Sequence, residues 1–324
     1  MRRLRGRGIT LAVAVAAMVV PTLGPSASRD APTRPAAMRP SAAPLPKARE
    51  RERKQAATFT SAQRAQLTHS LDRYLKGRQG ALSVSVRELS TGLGYAYDAD
   101  LRTATASIVK VDIVMALLLQ AQKDGRALTS TEKALAERAI KVSDNGAATA
   151  LWHAIGRSDG LAAANRRFGL RTTTPGPGDA WGSTTTSAAD QIRLLNALTS
   201  SRSPLSAANR RYVRHLMEDV TPEQTWGVSA AQDTAAQSAA GAAAAGAVVG
   251  LKNGWLPRQV HGGAWTINSI GLVRRSGRLF AVAAVSERHP SMRDGIAAVE
   301  HACRAAVTAL ARALPPASGA ASDR

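Results

Sequence analysis

Ser107-Ile-Val-Lys-Val-Asp-Ile-Val-Met-Ala-Leu-Leu-Leu-Gln-Ala-Gln122 is a long, mostly apolar run without Pro or Gly. It predicts a buried helix over Ile108 to Gln122, with Ser107 in the first turn or at the N-cap. A helix apolar on most faces has to be wrapped by other elements, and the flanking patterns supply them. Upstream, a helix begins near Thr60, with Ser61 as a cap and Leu67, Leu71, Tyr74 and Leu75 on one face. Leu82, Val84 and Val86 then alternate with smaller or polar residues over Ala81 to Glu88, Ser90-Thr-Gly92 turns, and Leu93 to Tyr97 resumes the extended pattern, as in a hairpin. Downstream, helices are expected at Ser130 to Val142, Ala147 to Ile155, Asp159 to Phe168, Ser187 to Leu198 and Ser206 to Met217, with Ser187 and Asp190 as a variant capping box. Extended runs return at Ala247 to Trp255, Gly263 to Val273 and Leu279 to Ser286, and a helix over Met292 to Leu314 follows. Strands at both ends with helices between them predict an antiparallel sheet built from N- and C-terminal strands, covered by helices, with a helical lobe inserted over about 111–220.

The chain has 324 residues and a net charge of +20. Arg2, Arg3, Arg5 and Arg7 precede the apolar run Ile9 to Val20, and Pro21 with Ser26, Ala27 and Ser28 offers a cleavage site. Residues 1–28 therefore read as a secretory signal peptide, too short in its apolar part to span a bilayer comfortably. No cysteine lies near it, which argues against lipidation, and the general export route is favoured over the twin-arginine one. Residues 29–57 are rich in Pro, Ala and Arg and cannot bury enough surface to order themselves, so they form a disordered linker. The folded domain is expected over 58–316, with a disordered tail at 317–324 and an Ala-rich stretch at 235–246 to which no chemistry is assigned. Cys303 is the single cysteine, so there is no internal disulfide; it lies on an amphipathic helix and is expected to be buried. Roughly half of the positive charge falls after residue 57, and such an exported domain would adhere to anionic cell-wall polymers. Aromatic content is 4% and no nucleic-acid-binding motif occurs, so nucleic acid is excluded as a partner. A monomer is expected.

Three short strings carry chemistry: Ser107-Ile-Val-Lys110, Ser143-Asp144-Asn145 and Lys252-Asn253-Gly254. A serine hydroxyl is a poor nucleophile at neutral pH and needs an adjacent base. Lys110, three residues beyond Ser107, shares its helix face. Burial in this helix, and a second ammonium at Lys252, would favour the neutral amine that can take the Ser107 proton. Ser143 is placed to shuttle a proton to a leaving nitrogen. Asn145 would donate to a substrate amide carbonyl and accept from Lys110, and Asp144 would hold the turn. On the third string Lys252 would bind a substrate carboxylate, Gly254 would leave room for substrate backbone, and the Trp255 amide with the Ser107 amide would form an oxyanion hole. Read singly, each string has an ordinary structural meaning: a capping serine with a surface lysine, an N-cap turn, a lysine and glycine in a strand.

Taken together in this order, residues 60 to 314 resemble the class A β-lactamase and penicillin-recognising serine hydrolase superfamily, specifically the actinobacterial class A-like serine hydrolases. Trp265-Thr-Ile-Asn268-Ser-Ile-Gly271 and Thr184-Thr-Thr186 are similar to further landmarks of that family. The resemblance implies an α/β/α sandwich plus an inserted all-helical domain, a site between them, no cofactor and no metal, and acylation of serine by a β-lactam or a D-alanyl peptide. Three departures stand out. The family's deacylating glutamate has no counterpart, since residues 146–183 hold only Asp159 and Asp179 as acids; Asn253 replaces a hydroxyl residue; and Ser143 follows Ser107 by only 36 residues. A β-lactamase with altered deacylation is the first expectation. A D,D-peptidase acting on wall peptides and a non-turnover penicillin-binding or scaffold protein are the alternatives. A triad hydrolase is disfavoured because no G-x-S-x-G occurs and the six histidines are scattered, and a metallohydrolase because H-E-x-x-H is missing.

Overall fold

A computed structural model of the chain describes residues 58–233 and 248–315. The expected signal peptide, linker, Ala-rich stretch and tail lie outside these residues. The order of regular elements is α1 (Ser61–Leu75), β1 (Ala81–Glu88), β2 (Gly94–Tyr97), β3 (Thr103–Ala104), α2 (Val109–Lys123), α3 (Ser130–Lys141), α4 (Asn145–Ala154), α5 (Arg157–Phe168), β4 (Thr185–Thr186), α6 (Ala188–Thr199), α7 (Ala207–Glu218), β5 (Val248–Pro257), β6 (Trp265–Arg275), β7 (Arg278–Glu287) and α8 (Met292–Arg312). The main sheet has the order β2-β1-β7-β6-β5 and its neighbours pair antiparallel. It is the α/β sandwich expected, with helices on both faces.

The central strand β7 shows why its sequence, Arg-Leu-Phe-Ala-Val-Ala-Ala-Val-Ser-Glu, does not alternate. Val282 and Ala284 pack into a core shared with Leu67 and Leu71 of α1 and with Val299, Cys303 and Val307 of α8. The opposite face, through Ala281, Ala283 and Val285, joins a core with Ile113, Met115 and Leu117 of α2 and with Leu194 and Leu198 of α6. A strand covered on both faces reads as a continuous apolar run. Helix α2 lies at the centre of the second core, which is why it lacks a polar stripe.

Two capping expectations are corrected. The cap of α1 is Thr60, which forms a full capping box with Gln63, because Thr60 keeps extended dihedrals while Ser61 is already helical. At α6, Ser187 does accept from the Asp190 amide. The Asp190 carboxylate, however, turns away from its own helix and, fully buried, takes the amides of Arg171 and Thr172 and the Thr173 hydroxyl. Burial alone would raise its pKa, and the amide hydrogen bonds from Arg171 and Thr172 outweigh that and lower it. Asp190 thus fastens the segment after α5 to α6. Among the described residues no helix is long and apolar enough to cross a membrane.

Candidate active site

Ser107 sits in a single 3-10 turn, Ala106–Ile108, that leads into α2, rather than in the α-helix itself. Ala106 holds φ at 47°, a left-handed value that costs a non-glycine residue energy and persists only where neighbours impose it. The neighbours are identifiable. Asn268 on β6 donates its amide to Ala104 O and Thr105 O at 2.8 and 3.0 Å, Thr105 N donates to Thr184 O at 2.7 Å, and β3 pairs with β4 through Thr103–Thr186 and Ala104–Thr185. The Thr-Thr-Thr segment therefore clamps the approach to Ser107. From the other side, β5 presses its Gly254 backbone against the turn, within 2.7 Å of Thr105 O for any β carbon placed there. The space at Gly254 expected for substrate is filled by the turn that carries Ser107.

Lys110 and Lys252 are fully buried, and one hydroxyl joins them. Lys110 Nζ donates to Ser143 O at 2.5 Å, Ser143 Oγ at 3.1 Å and Asn145 Oδ1 at 2.8 Å, while Lys252 Nζ donates to Ser143 Oγ, Gln224 Oε1 and Asn253 O, each at 3.1 Å. Ser143 can offer both oxygens to Lys110 because its backbone adopts φ 58°. Asp144 caps α4 through the Ala147 amide and pairs with Arg138 outside the cleft, so it holds the turn. Burial pulls the Lys110 ammonium down to about 8, against the opposing field of Asp144. Lys252 is also driven down, by burial and then by the charge of Lys110.

The cleft beside these groups has a volume of about 460 Å³ and is lined by Ser107, Ser143, Asn145, Gln224, Trp226 and Trp255 among others. Trp226 and Trp255 meet edge to face, 5.9 Å apart, and the exposed carboxylate of Glu223 stands on the same rim. Two sequence expectations do not fit this geometry. Asn253 is fully buried and donates to Gln224 O and Trp226 O at 2.7 and 3.1 Å, so its amide ties the wall together instead of facing a ligand. Lys252 spends all three of its N–H bonds within the protein, so it reaches a substrate carboxylate only by exchanging one of them. The Trp255 residue lies at the sheet edge, on a strand paired on one side only, where alternate N–H groups are free to point outward.

Sequence reasoning missed several neighbours of the site, among them Gln224, Glu223, Trp226, Asn268 and Trp181. Asn268 lay inside a quoted landmark; the others named belong to loops without periodic signal. The Trp181 ring centroid is 5.0 Å from Lys110 Nζ, and its indole N–H donates to Thr149 Oγ1 at 3.0 Å. Among the described residues no group of three or more His, Cys, Asp or Glu side chains could hold a metal ion.

Comparison with known proteins agrees with this architecture. The chain is similar to a class A β-lactamase from Bacteroides cellulosilyticus DSM 14838 (TM-score 0.63, 14% identity, 76% of this chain and 98% of that chain). It is similar also to a β-lactamase from Streptosporangium roseum (TM-score 0.61, 18% identity, 76% and 99%) and to the extended-spectrum β-lactamase TLA-3 (TM-score 0.65, 14% identity, 76% and 98%). At these identities the likeness is one of fold. LppW of Mycobacterium tuberculosis (strain ATCC 25618 / H37Rv) is 36% identical over 118 residues, 36% of this chain and 37% of its own length, so the match spans little more than a third of that relative. The model of the Beta-lactamase enzyme family matches residues 66–134 and 128–314, a span that takes in all three strings and every strand of the sheet. By that match, the chain belongs to the Beta-lactamase enzyme family.

Proposed function

We propose that the protein is a serine hydrolase acylated at Ser107 by a β-lactam or a related amide or ester, and that it turns over as a β-lactamase whose deacylation does without a loop glutamate. The observation that carries this reading is the single Ser143 hydroxyl held between two buried lysines at the edge of the cleft that Ser107 lines. A fully charged Lys110 has no lone pair and gives all three N–H bonds to Ser143 and Asn145. As a neutral amine it keeps two N–H bonds and gains an acceptor, to which the Ser107 hydroxyl, in the turn that leads into α2, would donate once its side chain rotates toward Lys110. Ser107 Oγ attacks the carbonyl carbon, its proton passes to Lys110, and the Ser107 and Trp255 amides hold the oxyanion. When the C–N bond breaks, the Ser143 hydroxyl gives its proton to the leaving nitrogen and is reprotonated by Lys110. Asn145 offers its Nδ2 hydrogens to the side-chain amide of the substrate. Export and electrostatic association with anionic wall polymers belong to the same proposal, supported by the leader and the charge of +20.

Labelling with a fluorescent penicillin tests it. The expected result is a covalent adduct on the Ser107 peptide, lost in Ser107→Ala, with the label fading as product is released. A folded protein that takes up no label from any β-lactam sinks the proposal. Cleavage of a D-alanyl-D-alanine wall peptide without β-lactam turnover would make the enzyme a D,D-peptidase instead.

A further inference from the structure

Lys110 is fully buried, and its neighbours come from two directions. Ser143 and Asn145 take the ammonium from the side of the cleft, and the indole of Trp181 covers it from the loop between α5 and α6, 5.0 Å from ring centroid to Nζ. That loop is fastened along its length to α4. Trp152 Nε1 donates to Gly178 O at 2.9 Å, His153 Nε2 meets Asp179 Oδ1 at 2.7 Å, and Trp181 Nε1 holds Thr149 Oγ1. Arg157 adds a second contact to Asp179 at 3.3 Å. The next residue, Gly182, abuts the Ser107 turn, where a β carbon would lie 3.9 Å from Ala106 Cα, and its carbonyl faces Thr105 Oγ1 at 3.5 Å. The cover is therefore tied to α4 and packed on the catalytic turn, and it carries no carboxylate toward Lys110.

We infer that Trp181 shields the Lys110 side of the Ser107 ester from water, and so sets the lifetime of the acyl-enzyme rather than the rate at which it forms. The inference rests on acylation at Ser107. Deacylation needs a water whose oxygen bonds to the ester carbon while a base takes its proton; the C–Oγ bond then breaks and Oγ regains a proton. Neutral Lys110 can receive the first proton and return it to Ser107 Oγ, but only if a water stands beside it, and the indole fills that approach. The substrate enters from the cleft, which Trp181 does not line. Acylation and deacylation thus depend on different faces of the same lysine.

The test is a pulse of fluorescent penicillin, removal of the excess and a chase, with Trp181→Ala, Trp181→Phe and Thr149→Val beside the parent protein. Trp181→Ala should shorten the life of the label by about tenfold, a clearly larger change than the fall in uptake that better solvation of Lys110 brings. Trp181→Phe should fall between the parent and the alanine variant, because a ring still fills most of the space but has no N–H for Thr149. Thr149→Val frees the indole while leaving the core volume alone, and should shorten the lifetime by a few-fold. It carries the test by itself if the alanine variant does not fold. An unchanged lifetime in the folded variants overturns the inference, as does an equal fall in uptake and lifetime, which would mark Trp181 as a prop for the fold. Slower release in Glu223→Gln with no effect of Trp181→Ala would also overturn it, by assigning the water to the rim carboxylate. Absence of uptake in the parent overturns both this inference and the acylation on which it rests, so the two failures are told apart.

Discussion

A β carbon on Gly254 would stand 2.7 Å from the amide nitrogen of Ser107. The glycine of the third string is therefore required by the first string, not by a ligand. Two segments far apart in sequence approach backbone to backbone, and the contact fixes where the Ser107 amide points. Gly254→Ala cannot be absorbed by rotating a side chain, because the other atoms it meets, Thr105 O and Ile108 N, are also backbone. The turn has to move. A shift of about 1 Å at a catalytic group costs roughly 100-fold in rate. The substitution should lower penicillin uptake by about that factor with the circular dichroism spectrum retained, and near-normal uptake would show that the turn does not supply the oxyanion donor.

Ser143→Gly separates the hydroxyl from the backbone. Glycine accepts φ 58° more easily than serine, and the carbonyl that receives Lys110 is preserved. What disappears is the oxygen between Lys110 and Lys252. Uptake should fall by about 100-fold, the usual scale for a lost proton-transfer group, with a loss of thermal stability too small to account for it. A fall in melting temperature large enough to account for the lost uptake would instead assign Ser143 a purely structural role.

The rate of acylation should rise with pH. A base works when it is neutral, and burial has brought Lys110 down to about 8. Uptake of label should climb roughly tenfold per unit below that value and level off above it. Lys110→Arg, whose guanidinium stays charged, should be inactive throughout. A flat profile between pH 6 and pH 9 would remove Lys110 as the base, since those limits bracket the value of about 8.

Much of the architecture was legible because it is periodic. Burial on both faces makes β7 continuously apolar, burial on all sides does the same for α2, and each leaves a pattern that a single sequence shows. The three strings were legible because their spacing is short. The parts that give the site its shape are neither. Asn268 reaches Ala104 and Thr105 across more than 160 positions, Asn253 holds Gln224 and Trp226, and Trp181 finds Lys110 through a loop. A polar side chain bonding backbone at long range has no periodicity, and its identity alone does not say whether it faces ligand or neighbour. For that reason the sequence points Asn253 and Gly254 toward substrate, whereas each of them serves the wall of the cleft.

Asp112 offers a test of the core that does not depend on catalysis. It lies on α2, two residues beyond Lys110, with no exposed surface. With its amide nitrogen turned toward the carboxyl, Asn165 donates to Asp112 Oδ1 and Oδ2 at 3.1 and 3.0 Å. Burial, and after it the charge of Asp190, pushes the Asp112 carboxyl up to about 8, so it is protonated in the folded protein at neutral pH. The unfolded chain has the ordinary value of 3.8. Between these limits the native state binds the extra proton, so the contribution of Asp112 to stability is complete below about 4 and is lost as pH rises to about 8, by on the order of 1 kcal/mol per unit. Lys110 acts with the opposite sign: its folded value is below 10.5, so stability returns as pH climbs from about 8. Both lysines are common to parent and variant, and comparing Asp112→Asn with the parent cancels them. The asparagine has the shape of the neutral acid and no charge to lose. The two proteins should denature at similar urea concentrations near pH 4, and the variant should gain on the parent steadily up to pH 8. A constant difference across that range would mean that Asp112 is ionised in the core and compensated there.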